Sequence, residues 1–315
     1  MRQYTLRRLS YLPLIVLVVS FITFFTLRLP WATDPVIALS TQNTTLEQEQ
    51  AIREDLGLDK PVWQQFVTWI GDVATGDLGT TFRSKQPVWP EIQRRMPVNI
   101  EILVLSVFFT QVIGITLGVL SAVNQNRAPD FAARVFAVFG QSIPGFFLLI
   151  MLIVIPSIWW NYSPPVGGHV SIFEDPWTNL RLYVPPTLLL AVGGAAGLMR
   201  VTRSTLLEVY RQDYMRTARA KGLAGRGVLY HAMRNSMIPI VTILGGEITA
   251  LFFGSLILEQ IFSLNGLGQF LFISAATSDF PVVQFLVLYT AIVVMGMNLL
   301  IDLSYAWIDP RVKYS

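Results

Sequence analysis

Between Asp213 and Gly222 the sequence places Asp213, Arg216, Arg219 and Lys221 around Tyr214, Thr217 and Ala218. These residue types suit recognition rather than bond making. The Asp213 carboxylate can accept the free N–H groups of a helix's first turn, and Gly222 can close the helix in a left-handed conformation. Tyr214 and Ala218 stand four apart, on one face with Tyr210 a turn earlier. A two-turn helix with a small apolar stripe and a basic surround fits a groove on another protein. The same composition also suits a helix lying on an anionic membrane surface. A second chemical feature is Glu247, a single acid inside the apolar run from Ile238 to Leu258. An ionised carboxylate facing lipid costs about 2.5–3.5 kcal/mol on the insertion scale. Glu247 therefore faces the protein interior or a water-filled path. It either lines that path and meets a substrate amine, or holds two helices together as a hydrogen-bonded carboxyl.

Catalytic chemistry finds little to work with. The chain has no cysteine, which excludes disulfides and thiolate sites. Its two histidines, His169 and His231, are too far apart in sequence to suggest a metal pair, so no metal site is expected. No lysine is followed by Ser or Thr, which excludes a phosphate-binding P-loop. The remaining polar residues are scattered among loops and no catalytic residue is assigned.

The elements that carry these residues are membrane spans. Of 315 residues 53% are hydrophobic and 14% charged, against about a quarter charged in soluble domains. Six apolar stretches predict an all-α integral membrane protein with six transmembrane helices: 11–27, 102–123, 135–158, 182–199, 238–258 and 280–301. Pro144 and Gly145 predict a kink inside the third. Arg127 and Arg134 fall in a predicted loop over 124–134, and 161–181 is a second polar loop. The fourth span carries a cluster of small residues, Gly193 to Gly197, which permits close helix approach. Residues 1–29 form a tail and first helix, 30–99 a small extracytoplasmic region, and 100–315 a five-helix core with a polar loop over 200–238. Within 30–99, Thr44-x-x-Glu47 has the form of a capping box opening a helix that ends near Gly57. Arg2, Arg7 and Arg8, the loop 124–134, the eight Lys and Arg between Arg200 and Arg234, and the tail's Arg311 and Lys313 all fall on one side. The positive-inside rule makes that side cytoplasmic, so both termini are inside. The basic cluster then lies against a membrane, and nucleic acid is not a partner.

The segment R-T-A-R-A-K-G, Arg216 to Gly222, resembles the cytoplasmic E-A-A-x-x-x-G loop of binding-protein-dependent ABC importer permeases. Ala218 and Gly222 match; Arg216 and Thr217 replace Glu and Ala. With His231, Arg234, Asn235 and Pro239 the form is that of the dipeptide/oligopeptide/nickel subgroup. L-G-L-D-K-P (56–61), G-D-L-G (76–79), Pro87-Val88 and R-M-P (95–97) resemble its extracytoplasmic region. E-Q-I-F from Glu259, N-G-L-G from Asn265 through Gly266 to Gly268, and D-F-P from Asp279 resemble its last external loop, with Asn265 where a proline is usual.

The resemblance implies a type I ABC importer permease in a prokaryotic inner membrane. Tyr214, Arg216, Thr217, Ala218, Lys221 and Gly222 would couple to an ATPase. Glu247 would line the translocation path, and Glu259, Asn265, Gly266 and Asp279 would form an external gate or loop. The partners implied are a homologous second permease, two ABC ATPase subunits binding ATP and Mg, and an extracytoplasmic solute-binding protein, with membrane lipid around the spans. No cofactor belongs to this chain. Short peptides are the implied cargo; nickel complexes or oligosaccharides share the architecture. An ion-coupled secondary transporter, which would place ionisable residues in several spans, is the competing class.

Overall fold

The computed structural model describes residues 2–29, 33–40 and 44–308. Trp31 and the tail's Arg311 and Lys313 lie outside the described residues. Among the described residues twelve helices follow in order: α1 Arg2–Thr26, α2 Pro35–Leu39, α3 Leu46–Asp55, α4 Val62–Thr75, α5 Val88–Val123 and α6 Ala128–Ser142. They continue with α7 Gly145–Trp160, α8 Pro176–Tyr210, α9 Asp213–Ala220, α10 Gly225–Phe262, α11 Leu267–Ala276 and α12 Phe280–Ile308. Among the described residues the only extended pairing is one bridge, Thr80 to Pro87.

Four stretches are long and apolar enough to cross a membrane: α5, α8, 239–262 of α10 and 280–303 of α12. The bent pair α6 and α7 adds a fifth if it is one span, and Ser10–Thr26 of α1 is a shorter apolar helix. Each of the six predicted stretches thus falls on helix, but four, or five with the bent pair, have the length and hydropathy to cross, and the third is not one kinked rod. It breaks between Ser142 and Gly145 with a 95° bend. Pro144 removes a donor and disfavours helical geometry at Ile143, whose backbone is extended at ψ 122°. The predicted loop over 124–134 also shrinks. Pro129 occupies the first turn of α6, where its missing N–H costs nothing, and the helix begins at Ala128 and carries Arg134. Residues 88–99, read as external, belong to the 36-residue α5. The capping box opening α3 uses Thr45 and Gln48, one residue on from the predicted pair.

The chain divides into two compact units. One holds 98–265 and 297–308. Its centre is α8, against which α5, α6, α7 and α10 pack. Gly114 and Gly118 of α5 bring that helix close to α8: a Cβ at these positions would lie 2.8 Å from the Leu198 Cβ and 2.6 Å from the Thr202 Cβ. Gly140 of α6 does the same against Ala196, at 2.9 Å. Such small-residue contacts let backbones approach where no hydrophobic effect separates helix from lipid. Toward the other end Ile102, Leu149, Tyr183, Leu258 and Phe262 form a buried cluster. The turn before α8 is fixed there by the Gly167 amide, which donates to the Phe262 carbonyl at 2.7 Å with Gly167 at φ +82°.

The other unit holds 2–97 and 266–296. Val88 and Ile92 at the start of α5 pack with Leu267 of α11 and Val282 and Leu286 of α12. Phe24 of α1 is fully buried, its ring 5.2 Å from Phe66 and 5.5 Å from Trp69 of α4. Offset and edge contacts of this kind add to the area that aromatic rings bury.

Candidate functional site

The short helix α9 joins α8 to α10. Gln212 occupies its N-cap without a side-chain bond, so Asp213 is the first helical residue and not the predicted cap. From there its carboxylate still complements the helix dipole and lies 3.4 Å from Arg216 Nη1, both exposed. Gly222 follows the C-cap Lys221 at φ +81°, and its amide donates to the Arg219 carbonyl at 2.9 Å. Tyr210 closes the preceding α8 rather than extending the stripe of α9, and Arg219 stands 5.5 Å over its ring.

What anchors α9 is Met215. It is fully buried among Ala122, Leu206, Val228 and Ala232, which come from α5, α8 and α10. Periodicity did not single it out, because the spacing pointed to the stripe of Tyr214 and Ala218, and Met215 lies off that stripe. With Met215 inward, Arg216, Thr217 and Lys221 are exposed, Ala218 is half-buried, and Tyr214 is 47% exposed. The Tyr214 hydroxyl accepts from Asn235 Nδ2 at 2.9 Å. Beside this face lies an open groove of about 780 Å³ whose lining includes Arg127, Arg211, Arg219 and Arg226 and no carboxylate. The face is small, basic and rigidly based, and it is suited to receiving a partner surface of opposite charge.

A second buried arrangement lies at the near ends of α5, α6 and α8. Asp130 is fully buried and accepts from Arg203 Nε at 2.8 Å and Nη2 at 3.0 Å, from Ser121 Oγ, and from the Asn126 amide at 2.9 Å. The paired Arg contact fixes α6 to α8 with defined geometry. Sequence reading passed over it because a lone Asp beside basic loops looks solvated.

Glu247 sits on α10 and is half-buried. Its carboxylate occupies the space left by two glycines of α8. A Cβ on Gly194 would overlap Oε2, and one on Gly197 would lie 3.7 Å from Oε1 and 3.2 Å from Gln141 Nε2. Thr110 of α5 borders the same recess. The residue thus faces protein, as the cost of a lipid-facing charge requires.

The remaining predicted residues are dispersed. Glu259, fully buried near the end of α10, accepts from Asn99 Nδ2 at 2.7 Å. Asn265 is exposed. Gly266 is the buried N-cap of α11. Asp279 is 5% exposed and accepts from the Phe82 amide at 3.0 Å; burial pushes its carboxyl above the ordinary aspartate value, with backbone N–H groups opposing.

Residues 114–314 match the family described as binding-protein-dependent transport system inner membrane component, and residues 1–103 match its N-terminal membrane component. The dipeptide transport system permease protein DppB of Escherichia coli K12 is 36% identical over 340 residues, spanning 100% of this chain and 99% of the relative. A putative peptide transport system permease protein of Brucella abortus is 35% identical over 310 residues, spanning 98% of each. The glutathione transport system permease protein GsiC of Pectobacterium atrosepticum is 36% identical over 316 residues, spanning 100% of each. Among solved structures, the methionine ABC transporter MetNI in inward-facing conformations shares the fold, with a TM-score of 0.53 and 19% identity over 69% of this chain and 95% of that one.

Proposed function

Because the chain belongs to the binding-protein-dependent transport system inner membrane components, the permease subunits of ABC importers, we propose that it forms half of a translocation path for short peptides. A permease of this kind is a multi-pass inner membrane protein and not an enzyme; ATP and Mg act on partner ATPase subunits. In our reading a homologous second permease completes the path, two ABC ATPases dock from the cytoplasm, and an extracytoplasmic solute-binding protein delivers cargo. Both termini are cytoplasmic, and 30–99 faces outward.

The observation that carries the coupling role is the placement of α9. One buried side chain, Met215, roots it in three long helices while Tyr214, Arg216, Thr217 and Lys221 stay available to a partner. Force applied at such a helix is passed to α5, α8 and α10 through packed side chains. Ala218 leaves room for close approach, and Gly222 sets the exit of the chain. We assign Glu247 to the inner face of the path, supported by its incomplete burial opposite the α8 glycines. Glu259, Asn265, Gly266 and Asp279 belong in this reading to the external gate.

Peptide cargo is supported by the names of three relatives that match nearly the whole chain. The test is ATP-dependent uptake by proteoliposomes holding both permeases, both ATPases and the cognate binding protein. Labelled di- and tripeptides are expected to accumulate, and peptide-loaded binding protein to raise ATP hydrolysis. Accumulation only of nickel complexes or oligosaccharides would replace the cargo while leaving the permease role in place.

A further inference from the structure

Arg28 follows the end of α1 by two residues, and its guanidinium is packed rather than free. It stands 3.5 Å from the centroid of the Phe24 ring and 5.2 Å from that of Phe280. Nε donates to Gln65 Oε1 at 2.9 Å and Nη1 to the Phe24 carbonyl at 3.2 Å. A guanidinium carries five N–H donors, so most remain available. Among the described residues no carboxylate is paired with it: the neighbouring Asp34 is taken by Arg53. Burial lowers the Arg28 pKa to about 10, which leaves it cationic at neutral pH. Two cavities, of about 180 and 320 Å³, meet at this side chain and share Gln65 and Phe280. Asp72 lines the smaller cavity and Asp34 the larger, but neither bonds to Arg28; a packed cation with no ion pair, beside open volume, is an incomplete electrostatic arrangement.

The surface leading to it is apolar. Leu14, Val18 and Phe21 are exposed, and with Phe25 they form a stripe at intervals of four, three and four residues along α1. Arg28 is the next position, three residues on. Beside the end of the stripe, α4 carries Phe66 and Trp69 against α1 while Trp63 and Val67 are exposed. An apolar track ending in a cation, with an exposed tryptophan at the same end, matches an acyl chain with its headgroup at the membrane interface. We propose that Arg28 binds the phosphate of a phospholipid whose acyl chain lies along Leu14, Val18 and Phe21. A bidentate guanidinium–phosphate contact, which this planar fork suits better than an ammonium would, supplies the missing anion.

The test uses the assembled importer, purified and delipidated in detergent, with phosphatidylglycerol as probe. Native mass spectrometry is expected to show one fewer tightly retained lipid per permease in Arg28→Gln, and titration an affinity weakened about tenfold at that site. Arg28→Lys should recover part of it. Equal retention by wild type and folded Arg28→Gln would overturn the proposal. Should Arg28→Gln fail to assemble, thermal unfolding of wild type decides. A rise in Tm with phosphatidylglycerol, absent with inorganic phosphate or glycerol 3-phosphate, supports a lipid. No rise overturns the site, and an equal rise with inorganic phosphate overturns the lipid as its occupant.

Discussion

The Asn235 amide donates to the Tyr214 hydroxyl at 2.9 Å, tying the exposed side of α9 to the helix that follows it, while the adjacent Met215 is buried beneath. The two attachments differ in strength. An exposed hydrogen bond exchanges with water and contributes about 0.5–1.5 kcal/mol. Removing a buried methionine leaves a cavity and costs about 2–5 kcal/mol. Met215→Ala is therefore expected to loosen α9 and strongly reduce ATP hydrolysis stimulated by the loaded binding protein, with the permease still inserted. Asn235→Ala should reduce it mildly. Equal effects, measured in proteoliposomes, would contradict the anchoring role of Met215.

Ala218 tests the docking face itself. A glutamate there adds bulk and an acidic charge to the half-buried side of a basic surface. Ala218→Glu should weaken retention of the ATPase subunits on an affinity column while leaving membrane insertion intact. Wild-type retention and transport would return α9 to a plain surface helix.

Orientation can be measured without background because the chain has no cysteine. Ser84 and Ala224 are both exposed. An impermeant thiol reagent on intact cells is expected to label Ser84→Cys and not Ala224→Cys. The reverse pattern would invert the topology and remove the coupling argument.

Composition and charge distribution made the helical membrane fold legible, and the bounds of α9 followed from Asp213 and Gly222. What stayed hidden depended on partners. Thr44-x-x-Glu47 and Thr45-x-x-Gln48 are both capping boxes in sequence, and local pattern does not choose between them. Pro144 announces a break, but no local pattern gives its 95° angle. Gly114 and Gly118 acquire meaning only once Leu198 and Thr202 are known to face them. Met215 and the Asp130–Arg203 pair are long-range contacts of single residues, which periodicity does not report.

That pair gives a stability prediction. Asp130→Asn leaves Arg203 without its charged partner in a site where the carboxylate is fully buried. Breaking a buried pair from one side costs about 3–5 kcal/mol. The variant is expected to unfold at distinctly lower temperature than wild type in detergent. An unchanged Tm would show that the pair does not hold α6 to α8.

Asp279 gives a pH dependence. Its carboxyl is raised by burial above the ordinary aspartate value of about 3.9. The folded state therefore binds the proton more tightly than the unfolded chain. This contribution to stability is complete at low pH and is lost as pH rises through the raised value. Asp279→Asn keeps an acceptor for the Phe82 amide and removes the ionisation. Its Tm should fall less than that of wild type between acidic and neutral pH, and parallel profiles would refute the assignment.

Glu247 and Gly194 can be tested as a pair, because each defines the space of the other. Gly194 lies within α8, where alanine would ordinarily stabilise a helix by about 0.5–1 kcal/mol. Here the added methyl would collide with the Glu247 carboxylate. Gly194→Ala alone should thus lower the Tm of the assembled importer. In a Glu247→Ala background only Thr110 Cγ2, 3.2 Å away, still crowds the methyl, and the same substitution should cost much less. The difference is the coupling of the two sites, expected at about 0.5–3 kcal/mol for residues in contact. Transport then separates the two roles of the carboxylate. Glu247→Gln preserves shape and hydrogen bonding and removes charge. If the charge meets a peptide amine, the variant should assemble normally and lose uptake of cationic peptides more than neutral ones, with basal ATP hydrolysis retained. If the side chain only joins α10 to α8, Gln should be nearly silent and Glu247→Leu should lower stability. Additive effects at positions 194 and 247, together with a Leu variant equal to wild type in assembly, stability and uptake, would defeat both roles at once.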